Sequence, residues 1–186
     1  MAISSKTSPS LWAKIDQITK DQLYYAQMGV GNDGSMEGWQ LFAEDGQMRL
    51  YTRELEIEGL VCDPLKAVHI VRGITGYEMC HRFFSPDTRF EWEETLESMR
   101  VLQELDKDTL IFHQIHKRIW PAAQRDAVFW SHIRKVDRPR SSCVISEGLK
   151  LHNVWIVCNN STDELDVPVS FHKHTNPLHK WSIELI

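Results

Sequence analysis

Two amides and one ion pair stand where this sequence otherwise places apolar residues. The alternation over Thr109–Arg118 reads as a strand, and one of its faces carries Leu110, Phe112, Gln114 and His116. The alternation over Leu149–Asn159 puts Leu151, Asn153, Trp155, Val157 and Asn159 on one face. Gln114 and Asn159 therefore continue faces that are partly apolar. A buried amide without partners costs about 1–3 kcal/mol, and a protein tolerates that where a ligand supplies the partner. For each amide taken alone, the default is a bond to backbone or water at a strand end. Arg89 and Glu93 stand four apart in Asp87-Thr88-Arg89-Phe90-Glu91-Trp92-Glu93 and can pair if the segment is helical. The bland alternative is an exposed salt bridge worth little, and the local sequence does not separate the two.

A second kind of chemistry is written in His116-Lys117-Arg118-Ile119-Trp120-Pro121-Ala122-Ala123-Gln124-Arg125-Asp126. Proline cannot donate to a strand ladder, so Trp120-Pro121 belongs at a loop tip between two strands. The tip is apolar, and Lys117, Arg118 and Arg125 flank it. Such a tip suits a greasy surface with an anionic rim, and a membrane fits that description.

Catalytic and metal chemistry find little support. There is no GxSxG, no HExxH and no Ser/His/Asp set in a familiar order. His113 and His116 are three apart on a strand and face opposite sides. His172, His174 and His179 have no accompanying carboxylate or cysteine pattern and read as a solvated tail. Cys62, Cys80, Cys143 and Cys158 are widely spaced, without a CxxC, and read as buried reduced thiols. No cofactor and no metal are expected. A net charge of −5 argues against nucleic acid as the main partner. The 186 residues suffice for one domain, no run has the length of a membrane span, and residues 1–10 lack the apolar core of a secretory signal.

The elements that must hold these residues follow in order. Residues 10–27 read as an amphipathic helix with Leu11, Ile15, Ile18, Gln22 and Tyr25 on one stripe. Residues 39–44 and 47–54 read as a hairpin around Asp45-Gly46. Residues 65–74 look like a third strand. Thr75 is placed to cap a helix over 76–84, with Glu78 in the capping-box position. Residues 86–94 read as irregular. Strands follow at 95–105, 109–118, 127–136 and 149–159, with a loop over 137–148. This order predicts an α+β fold in which helices are segregated from one curved antiparallel sheet.

At this point the chain becomes recognisable. It resembles the START lipid-transfer domains, in their ceramide-transferring branch. The likeness rests on Trp39-Gln40-Leu41, Asp63-Pro64-Leu65-Lys66-Ala67, Gly73-Ile74-Thr75-Gly76, Asp87-Thr88-Arg89 with Trp92-Glu93, Gln114 to Asp126, and Trp155-Ile156-Val157-Cys158-Asn159. The resemblance implies a helix-grip fold, with a curved sheet wrapped around a long C-terminal helix and a lipid cavity between them. It further implies that Glu93 and Gln114 contact a ceramide hydroxyl, that Asn159 bonds the amide and the other hydroxyl, and that Arg89 stands near the same polar end. Trp120, with Pro121, Lys117 and Arg118 around it, matches a loop that dips into the membrane. The implied partners are ceramide or a related sphingolipid and a transiently touched membrane. The implied location is cytoplasmic, with peripheral association to Golgi and endoplasmic reticulum membranes.

The likeness runs from about Trp12 to Leu165. Residues 1–9 are expected to be disordered, 10–165 to form an incomplete START domain, and 166–186 to be a divergent tail in place of the last strands and closing helix. Two functions follow. One is non-catalytic binding and intermembrane transfer of ceramide. The other is a truncated or splice-variant fragment that binds no lipid and acts as an interaction module or as a non-functional product.

Overall fold

The structure is a computed structural model that describes residues 9–27, 39–57, 59–62, 64–136 and 153–162. Helix α1 runs over Pro9–Gln27. Its apolar spacing places Leu11 and Ile15 in the core, and Thr19 buries its hydroxyl by donating to the Ile15 carbonyl at 2.7 Å. The expected hairpin forms from β1 (Gln40–Asp45) and β2 (Met48–Thr52), turning at Gly46 with φ +58°. Glycine reaches that left-handed geometry without the Cβ penalty. A small hairpin of β3 (Leu55–Ile57) and β4 (Leu60–Cys62) follows, which the sequence pattern had not indicated.

Strand β5 covers only Leu65–Val68 and pairs with β2. The longer strand expected to Ile74 stops early, and the chain turns before Gly73, whose φ is +82°. Helix α2 (Gly76–Phe84) opens with the expected capping box. Glu78 N donates to Thr75 Oγ1 at 3.2 Å, and Thr75 N donates to Glu78 Oε2 at 2.8 Å. Those bonds from Thr75 hold the Glu78 carboxyl below its ordinary pKa. Residues 86–89, expected to be irregular, form a single helical turn, α3 (Pro86–Arg89). Proline in the first turn explains this, because its fixed φ is ready for a helix and its missing N–H is not needed there.

The larger sheet is a meander of β6 (Leu96–Asp106), β7 (Thr109–His116), β8 (Asp126–Lys135) and β9 (Trp155–Ser161), in that spatial order. Three register shifts interrupt the β6–β7 pairing, the kind of irregularity that bends a strand and adds twist. Strand β9 begins later than expected. Asn153, expected within it, has φ +59° and stands outside the extended run. Among the described residues the strands fall into three separate sheets rather than one, because no strand pairs the β1–β2–β5 group to the meander.

The two faces of the meander bury different partners. One packs Ile111, Trp130, Ile156 and Cys158 against Leu11 and Ile15 of α1. The other packs Ile133 and Val157 against Cys80 and Phe84 of α2, with Leu110 and Trp155 alongside. The α+β architecture therefore stands as expected, with helices on both sides of the meander. The expected loop at 137–148, the first four residues of the expected strand 149–159, residues 1–8, Cys143 and the tail 166–186 lie outside the described residues.

Candidate functional site

The face of the meander toward α2 and α3 carries the residues singled out in the sequence. The register aligns Gln114 with Ala127, then Phe112 with Phe129, then Leu110 with Ser131. Ser131 in turn stands opposite Asn159, and Ile133 opposite Val157. Side chains two apart share a face, so these rows form one surface across β7, β8 and β9.

Helix α3 and the turn after it deliver the charged pair. Glu93 N donates to the Arg89 carbonyl at 3.0 Å, which keeps helical spacing through the turn. Arg89 Nε then meets Glu93 Oε2 at 2.9 Å, with side-chain exposures of only 8% and 16%. This is not the exposed surface pair that was the bland alternative. Arg89 Nη1 also donates to the Phe83 carbonyl at 3.1 Å. Its guanidinium lies 5.4 Å from the Trp92 ring centroid and 5.9 Å from that of Phe129. Phe129 belongs to the shared sheet face, so Arg89 is docked on that face.

Gln114 meets the pair from β7. Its Nε2 donates to His116 Nε2 at 2.8 Å and reaches Glu93 Oε1 at 3.5 Å. Because His116 Nε2 accepts, the neutral ring carries its hydrogen on Nδ1, 3.2 Å from Thr95 Oγ1 and 3.9 Å from Glu93 Oε1. The amide is thus oriented by its nitrogen, while Oε1 is buried without a hydrogen-bond partner among the described residues.

Asn159 lies inside β9 rather than at its end. Both of its amide atoms, Nδ2 and Oδ1, are buried without a hydrogen-bond partner among the described residues. The same holds for Ser131 Oγ directly across the strand pair. Neither Gln114 Oε1 nor the Asn159 amide therefore finds a backbone partner among the described residues. The structure brings Arg89, Glu93 and Gln114 into contact. Asn159 shares their face but lies beyond the Phe112–Phe129 row, whose ring centroids are 5.6 Å apart. Ser131 was missed in the sequence. Its signal was available in the run Ala127, Phe129, Ser131, Ile133, where a hydroxyl interrupts an apolar face. His116 was read as a strand residue, and its grip on Gln114 was also missed.

The loop between β7 and β8 projects past this charged end. Its base is held by backbone bonds from His116 N to the Arg125 carbonyl at 3.0 Å and from Lys117 N to the Thr95 carbonyl at 2.8 Å. Gln124 braces it by donating to Glu97 Oε2 at 2.6 Å and to the His116 carbonyl at 3.1 Å. On the opposite face, His113 Nε2 and Asp126 Oδ2 lie 2.9 Å apart with both side chains buried. At the tip Ile119 is 66% exposed and Trp120 83%, and a cis peptide joins Trp120 to Pro121. Lys117, Arg118, Pro121 and Arg125 are exposed beside them. Lys117 Nζ donates to the Glu94 carbonyl at 2.7 Å and Arg118 Nε to the Ala122 carbonyl at 3.4 Å.

Among the described residues no cluster of His, Cys, Asp and Glu could hold a metal ion, and no helix is long and apolar enough to cross a membrane. Cys80 and Cys158 are buried, and burial pushes the Cys80 thiol up to about 12.

Comparison with known proteins follows the same lines. The START domain family model matches residues 30–175. The ceramide transfer protein of Cricetulus griseus is 39% identical over 169 residues, 91% of this chain and 26% of that protein. That of Xenopus tropicalis is 37% identical over 168 residues, 90% of this chain and 25% of that protein. The chain thus spans about a quarter of these relatives' length. Among solved structures, human StAR-related lipid transfer protein 5 superposes with a TM-score of 0.58 at 15% identity, over 90% of this chain and 69% of that one. The lipid transfer and protein localization domain of human StarD13 gives 0.55 at 16% identity, over 84% and 69%. At those identities the structural likeness speaks for the fold alone, and with the family match it leads to one assignment: the chain belongs to the START domain family.

Proposed function

We propose that this protein is a non-catalytic lipid carrier that holds ceramide or a related sphingolipid against the α2-facing side of the meander and moves it between membranes. The observation that carries this reading is a set of buried polar atoms on one largely apolar face that have no hydrogen-bond partner among the described residues: Gln114 Oε1 and both amide atoms of Asn159. A headgroup with two hydroxyls and an amide supplies donors and acceptors for such atoms without calling for a buried cation to meet a phosphate. Arg89 is already committed to Glu93, so its charge is not free to bind an anionic headgroup. Phe112, Leu110, Val157 and Trp155 offer the apolar wall that acyl chains need.

In this reading Glu93 and Gln114 take one hydroxyl, Asn159 takes the amide and the other hydroxyl, and Arg89 holds Glu93 in place. Trp120 and Pro121 enter the membrane at the headgroup level, where an indole places its ring among lipids and its N–H toward water. Lys117 and Arg118 add attraction for an anionic leaflet. The curated relatives named ceramide transfer proteins support the choice of ceramide, and the family resemblance is what supports peripheral work at Golgi and endoplasmic reticulum membranes from the cytoplasmic side.

The test is extraction. The full chain is offered vesicles containing labelled ceramide and labelled phosphatidylcholine, and the soluble label is measured. Ceramide extraction that exceeds that of phosphatidylcholine and is lost in Gln114→Ala or Asn159→Ala supports the reading. Extraction of neither lipid overturns it and leaves an interaction fragment as the better account.

A further inference from the structure

Seven buried side-chain polar atoms lack a hydrogen-bond partner among the described residues, and four of them share one sheet face. The other three have different surroundings. Trp39 Nε1 and Arg53 Nε belong to a stacked group in which the Arg53 guanidinium lies 5.0 Å from the Tyr25 ring and 5.1 Å from Trp39. Asn160 points to the opposite face, in register with Trp130. On the shared face, Gln114 Oε1 stands alone near the charged pair, whereas Ser131 Oγ and the two Asn159 atoms come from residues directly opposite each other on β8 and β9.

Side chains opposite each other in an antiparallel pair have Cβ atoms about 4.5–5.5 Å apart, close enough for serine and asparagine to bond. They do not bond here, and their polar atoms have no hydrogen-bond partner among the described residues. Around them stand Phe129, Leu110, Ile133 and Val157, none of which offers a side-chain hydrogen bond. Ser131 is fully buried and Asn159 nearly so.

We propose that Ser131 is a ligand-binding residue that works with Asn159 as a second polar station, deeper than Gln114, and that this station selects lipids carrying a secondary amide over glycerol esters. The proposal rests on the lipid-carrier reading above and deepens it. The chemistry follows from what the three atoms can do. Asn159 Nδ2 and the Ser131 hydroxyl both donate, and together they grip one carbonyl oxygen. Asn159 Oδ1 only accepts, so it needs a donor from the ligand. An amide N–H provides one. Diacylglycerol has one hydroxyl, taken at the Glu93–Gln114 end, and its esters have no donor, so it would leave Oδ1 buried and unpaired, the kind of mismatch that discriminates strongly between similar ligands.

The experiment uses the full chain, vesicles doped with labelled ceramide or labelled diacylglycerol, and the variants Ser131→Ala, Asn159→Ala and their combination. Wild-type protein is expected to extract ceramide in preference to diacylglycerol. Ser131→Ala is expected to lower ceramide extraction about five- to tenfold, to change diacylglycerol extraction much less, and to leave the melting temperature equal or higher. Removing an unpaired buried hydroxyl relieves the ligand-free protein, whereas a structural serine would lower the melting temperature when removed. The double variant is expected to lose little more than Asn159→Ala, since both groups grip the same oxygen. Unchanged ceramide extraction in Ser131→Ala, or a loss matched by a falling melting temperature, overturns the role of Ser131 while leaving the carrier reading intact. Extraction of neither lipid by the wild type instead overturns the carrier reading, and this inference with it.

Discussion

Arg89 Nε and Glu93 Oε2 are joined at 2.9 Å inside the protein, and the second oxygen of the same carboxylate faces Gln114 and His116. One side of Glu93 therefore balances a buried cation while the other reaches the polar end of the sheet face. A buried pair of this kind is held in place by the cost of breaking it more than by the gain from forming it.

Glu93→Gln should accordingly destabilise the fold as well as any site it serves. It leaves the Arg89 guanidinium buried beside a neutral amide, at a cost of about 3 kcal/mol. The double substitution Arg89→Met with Glu93→Leu should restore at least half of that. Urea unfolding midpoints of the three proteins check the order, and a double variant less stable than Glu93→Gln would contradict it.

Gln114 should behave in the opposite way. Its Nε2 is satisfied by His116, but its buried Oε1 has no hydrogen-bond partner among the described residues. Gln114→Leu removes that atom at similar volume, so stability should change by less than about 1 kcal/mol while ceramide extraction falls about tenfold. His116→Phe should lower extraction too, by freeing the amide to rotate, with Gln114 still present. Full extraction by His116→Phe would show that the ring does not position the amide.

The sequence made part of this legible, and the gaps have physical reasons. Period-two alternation placed Gln114 on an apolar face, because one strand's own residues decide which side each faces. The four-residue spacing of Arg89 and Glu93 showed that they could pair but not that they would be buried. Burial comes from Phe129, a strand residue forty positions away, and from Trp92 stacked on the guanidinium. Asn159 was placed on the right face but at a strand end. The left-handed backbone at Asn153 delays β9, so the strand runs to Ser161 and encloses Asn159. Ser131 interrupts an apolar face in the sequence, but serine in a strand draws no notice until its neighbours across the sheet are known.

Acid should destabilise this fold through His132. Burial, reinforced by the Arg134 guanidinium, holds its pKa below the ordinary value, and Thr109 Oγ1 contacts its Nδ1 at 2.8 Å. The folded state thus prefers the neutral ring. As pH falls, the unfolded chain takes up this proton first, so the contribution is present above the unfolded pKa and is lost below it. Stability should therefore drop as pH falls from about 7 to 5. His132→Gln should flatten that slope in urea melts at stepped pH, and an unchanged slope would point to other groups.

Trp120 should matter to membranes and not to the fold. At 83% exposure its ring contributes little to packing, so Trp120→Ala should leave stability within about 0.5 kcal/mol of wild type. Burying an indole in a lipid interface is worth on the order of 1.5–3 kcal/mol, so vesicle affinity should fall at least tenfold. Sedimentation with vesicles reads the affinity, and an unchanged value would remove the loop from membrane contact.

The cations beside Trp120 make a separate and salt-dependent prediction. Each basic residue near an anionic surface contributes about 1 kcal/mol, which is roughly fivefold in affinity. The two are not equivalent here. The Lys117 ammonium is drawn back to the Glu94 carbonyl at 2.7 Å, whereas Arg118 makes only a long contact at 3.4 Å to Ala122 within the tip. Arg118→Ala should therefore weaken binding to anionic vesicles more than Lys117→Ala. Both effects should vanish on neutral vesicles and shrink at high salt, because exposed charges are screened within about 10 Å at 0.1 M. Loss of binding to neutral vesicles in Arg118→Ala would mean that the guanidinium shapes the tip through Ala122 and does not attract the surface.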